Sequence, residues 1–110
     1  MATSPATIAF LMDLLQDAGP VTARKMFGEY ALYLDGKVVG LVCDDRLFLK
    51  PLPGAVALIA APREGLPYPG AKPHLLIEDE LDDPELLVRL IRAVAAELPP
   101  PNPKTRRKRV

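Results

Sequence analysis

The chain has 110 residues, 49% of them hydrophobic and 25% charged, which is the length of one domain with enough apolar content for a core. No apolar run reaches the ~18 residues of a membrane-spanning helix, and no basic stretch followed by an apolar one indicates a secretory signal. The single cysteine, Cys43, excludes an internal disulfide, and we expect a cytoplasmic protein without membrane attachment.

Charge is distributed unevenly along the chain, although the formal net charge is zero. The last seven residues contain Lys104, Arg106, Arg107, Lys108 and Arg109. The rest of the chain has nine basic and fourteen acidic residues and is therefore acidic. This composition predicts one domain over residues 1–98 and a flexible tail over 99–110, rich in proline and then basic.

The first predicted element is a helix over residues 5–18. Ser4 can cap it, and Pro5 suits the first helical position. Gly19 and Pro20 end it, since proline cannot continue a helix. The apolar residues at helical spacing are Ile8, Leu11, Met12 and Leu15.

Residues 22–50 are predicted to form an antiparallel meander of three or four strands. Asp35-Gly36 indicates a two-residue hairpin turn, because such a turn needs positive φ at both positions. The next connection is interpreted as a three-residue loop over 44–46. A two-residue loop would place Arg46 on the aliphatic face of a regular meander. The register that keeps this face apolar is therefore the predicted one.

This register predicts two unlike faces on the sheet. The core face carries Tyr30, Leu32, Leu34, Val39, Leu41, Cys43, Leu47 and Leu49. The other face carries Ala31, Tyr33, Val38, Gly40, Val42, Phe48 and Lys50, which is too apolar for a fully solvated surface. We predict that Tyr33, Val38, Val42, Phe48 and Lys50 form an interface with a protein partner, most simply a second copy. The alternative is that the 62–73 loop or the second helix covers this face within one chain.

The second half of the chain alternates short elements. Residues 54–61 fit a short helix or, alternatively, a buried strand, and 62–73 form a loop rich in proline and glycine. A strand over 74–80 precedes the clearest helix, which Asp83 caps and Pro84 begins. The whole order, α-β(3-4)-α-β-α, predicts an α+β fold in two layers. Its antiparallel sheet of four to six strands has the helices packed on one face.

Several short motifs resemble those of the TfoX/Sxy family, the bacterial competence regulators, in its N-terminal domain. They are Arg24, the MFG of 26–28, the YALYLDGK of 30–37, the RLFLK of 46–50 and the YPG of 68–70. The resemblance covers roughly residues 5–98 and implies a secretion-chaperone-like α+β fold. It also implies a non-enzymatic interaction domain. Full-length members are transcriptional co-activators that work with the cyclic-AMP receptor protein and carry a second, helical domain.

No catalytic, metal, cofactor or small-molecule site is predicted. His74 and Cys43 are too few ligands for zinc, and neither a P-loop nor a GxGxxG motif is present. The acidic residues between 78 and 85 lack the spacing of an EF-hand loop and suit the start of the last helix. A small enzyme would require a pocket around the 62–73 loop, containing His74, Arg63 or Tyr68.

The alternative to a protein-interaction domain is a nucleic-acid-binding protein. Arg24 and Lys25 could contact an anion at the sheet edge, or they could be edge charges that prevent unwanted strand pairing. The five cations of the tail predict either salt-dependent contact with phosphates or a solubilising terminus that folds back on the acidic domain. The alternative therefore rests on Arg24, Lys25 and the tail residues Lys104, Arg106, Arg107, Lys108 and Arg109.

Overall fold

A computed structural model of the chain describes residues 3–26 and 28–99. In this part of the chain, an open antiparallel sheet of six strands combines with three α-helices, which confirms the α+β class. The elements are α1 (Pro5–Leu14), β1 (Val21–Met26), β2 (Glu29–Leu34), β3 (Lys37–Cys43), β4 (Arg46–Leu49), α2 (Pro53–Val56), β5 (Glu64–Gly65), β6 (His74–Ile77) and α3 (Pro84–Glu97). The strand order across the sheet is β1-β2-β3-β4-β6-β5, so β1 and β5 are the edges.

Local capping sets the helix boundaries that the sequence predicts. The Ser4 side chain accepts hydrogen bonds from the backbone N–H groups of residues 6 and 7 and begins α1. The Asp83 carboxylate accepts from the Leu86 N–H at 3.2 Å and begins α3. Helix α1 is shorter than predicted because a 3₁₀ turn at Gln16–Ala18 replaces its last turn. A second 3₁₀ turn, Asp79–Asp82, ends the strand segment that was predicted over 74–80.

One apolar core joins alternate strand residues to the helices. Its buried side chains include Leu11, Leu15, Leu32, Leu34, Val39, Val42, Leu47, Leu49, Leu75, Ile77, Leu87, Leu90, Ile91 and Val94. Helix α3 supplies the last four of these residues, at the helical spacing expected for a buried stripe. No helix in residues 3–26 or 28–99 is long and apolar enough to cross a membrane.

A β-bulge interrupts the pairing of β2 with β3. Tyr33 pairs with Val38, but the neighbouring Leu32 pairs with Gly40. A regular hairpin with the predicted two-residue turn would place Val39 opposite Leu32. Val39 is thus the extra residue of the bulge, and its side chain is fully buried in the core. An extra residue reverses the alternation of every side chain after it in the strand.

The bulge corrects the predicted faces of β3. Val42 was predicted on the interface side, but it lies in the core with no exposed surface, so this prediction is wrong. Leu41 and Cys43 were predicted in the core, and both lie outside the core cluster on the other side of the sheet. The bulge therefore exchanges the roles of these neighbouring residues.

The connection from β3 to β4 is a two-residue turn and not the predicted three-residue loop. Asp44 and Asp45 both have positive φ, 53° and 60°, as a hairpin turn of this kind requires. Cys43 consequently pairs with Arg46. Because the bulge has already moved Cys43 out of the core, the exposed Arg46 opposite it does not point into the aliphatic face.

Candidate functional site

The side of the sheet that lies outside the core cluster has its own apolar layer, which we call the second face. Cross-strand pairing aligns its residues in rows. One row is Arg24, Ala31, Leu41, Phe48 and Leu76, and the adjacent row is Thr22, Tyr33 and Val38. Of these residues, Ala31 and Phe48 are buried, although they do not belong to the core cluster. The sheet therefore has apolar surface on both sides.

Strand β5 covers Phe48 on the second face. Phe48 is only 4% exposed, and a Cβ built on Gly65 would lie 3.0 Å from its ring atom Cε2. The backbone at Gly65 therefore rests against the Phe48 ring, and a larger residue would displace it. The predicted alternative, covering within one chain by the 62–73 loop, holds for Phe48, which is not available to a partner.

Three of the predicted interface residues remain on the accessible part of the second face. Tyr33 and Val38 form a cross-strand pair, are half-buried and do not pack against the core. Lys50 follows β4 and is partly exposed. Tyr33, Val38 and Lys50 keep their predicted places, whereas Val42 and Phe48 do not contribute accessible surface.

A cleft opens at the other end of the second face, where the loop after β5 approaches the first strands. Among the described residues, it is lined by Met26, Glu29, Tyr30, Leu41, Cys43 and Tyr68, and its volume is about 460 Å³. Met26 and Tyr68 are 45% and 55% exposed, so two large apolar side chains frame one opening. The predicted alternative of a pocket around the 62–73 loop named Tyr68, but it named none of the strand residues that line this cleft.

A hydrogen-bond network fixes the strand ends beside the cleft. The Thr3 hydroxyl donates to Glu29 Oε1 at 2.6 Å, and the backbone N–H of Asp44 donates to the same oxygen at 3.1 Å. The Asp45 carboxylate accepts from the Ser4 N–H at 2.8 Å and from the Thr7 hydroxyl at 2.7 Å. The segment before α1 is thereby tied to both β2 and the β3–β4 turn.

This arrangement shifts the pKa values of two groups. Burial, and then the negative charge of Glu29, raise the pKa of the Cys43 thiol. The hydrogen bond from the Ser4 N–H, and then that from the Thr7 hydroxyl, lower the pKa of Asp45. Cys43 is therefore a neutral thiol at pH 7, and Glu29 is the one charged side chain among the described residues that line the cleft.

Comparison with known proteins decides the family. The model of the TfoX N-terminal domain matches residues 13–98. The chain belongs to the TfoX N-terminal domain family. A protein of Spirochaeta aurantia named "uncharacterized 12.7 kDa protein in trpE 5′ region" is 43% identical over 107 aligned positions, and the match covers 94% of this chain and 90% of that relative.

The TfoX N-terminal domain exposes the predicted cations of β1. Arg24 lies on the second face opposite Ala31, and Lys25 lies opposite Tyr30 on the other side of the strand. Both are exposed, and neither forms a salt bridge within residues 3–26 and 28–99. The other predicted anion contacts, Lys104, Arg106, Arg107, Lys108 and Arg109, lie outside the described residues.

Three other polar residues of the TfoX domain, Arg63, His74 and Asp83, have local partners. Arg63 forms a salt bridge with Glu78 at 3.1 Å, and Asp83 caps α3. His74 Nδ1 lies 2.8 Å from the carbonyl oxygen of Lys72 and can donate to it. Within the described ranges, no group of three or more His, Cys, Asp or Glu side chains could hold a metal ion.

Proposed function

We propose that this TfoX N-terminal domain is a non-enzymatic interaction domain that binds a second copy of itself through the second face. The Tyr33–Val38 pair carries this proposal. The pair is apolar, cross-strand and half-buried, and it lies outside the core of its own chain. Part of the apolar surface of this pair stays exposed in the single chain, and a partner could bury it. Contiguous apolar patches on a protein surface characterise interfaces. Closed two-fold association is the commonest oligomeric arrangement.

The face is a better surface for association than the edge of the sheet. Strand β1 is an edge of six residues and could in principle pair with a second β1. Arg24 and Lys25 are exposed charged side chains in the second half of this strand. Charged side chains on an edge strand oppose its pairing with another strand. Contact through Tyr33 and Val38 leaves Arg24 and Lys50 at the rim, where each can stay hydrated.

The role proposed for this association is that of an accessory in transcription regulation, acting through protein–protein contacts. The support is family membership over residues 13–98, together with the co-activator function that the resemblance to TfoX/Sxy regulators implies. In this account the domain supplies a binding surface, and it makes no covalent change to its partner.

Solution mass tests the proposal directly. We expect light scattering over a concentration series to give twice the chain mass of 12.0 kDa for the full chain at high concentration. Val38→Glu should shift the association to at least about tenfold higher concentration, because it places two like charges in a symmetric interface. Ala9→Glu, on the exposed side of α1, is the matched control and should leave the mass unchanged. A strictly monomeric full chain contradicts the proposal.

Nucleic-acid binding is the second candidate, because Arg24 and Lys25 are exposed without a salt bridge among the described residues. Binding of this kind would weaken as salt rises, with a slope that reports the number of phosphate contacts. The affinity of the protein for a fluorescent 20-base-pair duplex, measured at two salt concentrations, tests nucleic-acid binding separately from self-association. Replacing Arg24 and Lys25 together by Gln should lower the slope if β1 contacts phosphates and should leave it unchanged if it does not.

A further inference from the structure

The cleft beside Tyr68 combines apolar walls with one carboxylate. Its volume of about 460 Å³ is in the range of small-molecule sites, roughly 300–1,000 Å³. Met26 and Leu41 supply apolar surface, and Tyr68 supplies an aromatic ring. Glu29 is the charged group in the described lining, because burial keeps the Cys43 thiol neutral. A ligand that matches this lining has an apolar body and a positive charge.

Two hydrogen bonds orient the Glu29 carboxylate. Its Oε1 accepts the hydrogen bonds from the Thr3 hydroxyl and the Asp44 N–H, and these fix the plane of the carboxylate. Its Oε2 accepts no hydrogen bond from residues 3–26 or 28–99, and no Lys or Arg nitrogen of these residues lies within salt-bridge distance. A partly buried carboxylate held in this way gains a charge-assisted hydrogen bond when a cation with N–H donors arrives.

We propose that this cleft is a binding site for a small organic ammonium ion with an apolar body. The ammonium group binds Glu29 Oε2, and the body lies between Met26, Leu41 and Tyr68. The ring of Tyr68 favours a cation over an anion, because the faces of aromatic rings are electron-rich. The cleft does not include Tyr33 or Val38, so this inference is independent of the proposed self-association.

Three probes of similar size and different charge test the inference. They are 2-phenylethylammonium, 2-phenylethanol and 3-phenylpropionate, each titrated into the labelled full chain and followed by backbone amide shifts. We expect saturable binding of the ammonium ion at millimolar concentration, with shifts centred on Met26, Glu29 and Tyr68. The alcohol should bind at least about tenfold more weakly, since it lacks the charge-assisted contact. Equal affinity for ammonium and carboxylate, or no binding of the ammonium ion up to 20 mM (about 2 kcal/mol in free energy), overturns the proposal.

Two variants locate the binding. Glu29→Gln keeps an oxygen that can accept from Thr3 and Asp44, and it should raise the Kd of the ammonium ion at least about tenfold, to that of the alcohol. Tyr68→Ala alters an exposed loop residue, so it keeps the fold and should weaken all three probes. Glu85→Gln, an exposed carboxylate at the start of α3, is the matched control and should bind like the wild type. An unchanged Kd in both Glu29→Gln and Tyr68→Ala contradicts the site.

Discussion

Cys43 lies opposite Arg46 across the β3–β4 turn. This pair identifies the turn as a two-residue connection and places both side chains on the second face. It follows from the extra residue in β3, since without the bulge the same turn would direct Arg46 into the core. The composition of the second face, and hence the proposed interface and cleft, depends on this register.

Neighbouring residues of β3 provide the first test of the register. Val42→Asp should abolish the cooperative unfolding transition, because it buries an unpaired charge in the core. Leu41→Asp, one residue earlier and half-exposed on the second face, should remain folded with a loss of about 1 kcal/mol. Urea unfolding followed by circular dichroism measures both. The reverse order of stability would show that the bulge is misplaced.

Gly40 is the position in β3 where a side chain has no room. A Cβ there would clash with the carbonyl oxygen of Phe48 and would lie 2.9 Å from Leu49 Cδ2. We therefore expect Gly40→Ala to destabilise the protein by about 1–3 kcal/mol in urea unfolding. Gly54→Ala is the control, since its Cβ would meet the flexible Glu97 side chain, and it should cost less. Similar stabilities of the two variants would contradict the close approach of β3 to β4.

The lowered pKa of Asp45 predicts that the free energy of unfolding depends on pH in the acidic range. Its folded-state pKa is lowered by the Ser4 N–H and then by the Thr7 hydroxyl. The stabilisation is therefore present above the unfolded pKa of about 3.9 and is lost as pH falls through the lower folded value. We expect the difference in urea midpoint between wild type and Asp45→Asn to shrink between pH 6 and pH 2.5. Asn tolerates the positive φ of this position, so any other effect of the substitution on the urea midpoint should be the same at every pH. A difference in midpoint between wild type and Asp45→Asn that does not change with pH would contradict the prediction.

Cys43 should react slowly with alkylating agents. Burial and the charge of Glu29 both raise its pKa, so the reactive thiolate is scarce near neutral pH. We expect the rate of alkylation by iodoacetamide to keep rising above pH 9, later than for a free thiol. Glu29→Gln should move this rise to lower pH, because it removes one of the two causes. A rate in Glu29→Gln that follows the wild-type pH profile would exclude an effect of the Glu29 charge.

Local signals predicted most of the fold. Ser4 and Asp83 cap helices because their side chains satisfy free N–H groups, and Asp35-Gly36 forms its turn with φ values of 52° and 81°. These features depend on a few adjacent residues. The α+β class follows from them, and so does the order of strands and helices except for β5, which lies in the segment predicted as a loop.

The register of β3 could not be predicted from alternation, because Val38, Val39, Leu41 and Val42 are apolar on both sides of the strand. Gly40 was the available signal, since glycine inside a strand indicates a bulge or a close backbone approach. The cleft had no local signal at all. Tyr68 and Glu29 are 39 positions apart in the sequence and share the cleft because of the path of the chain after β5.

An amide dilution series on the full chain tests the central claim most directly, because one experiment reports both whether the chain associates and through which residues. We expect concentration-dependent shifts, between about 1 mM and 10 µM, at Tyr33, Val38 and their neighbours in β2 and β3, with the amides of α3 unchanged. Shifts confined to the helices, or none at all over this range, would contradict self-association through the second face.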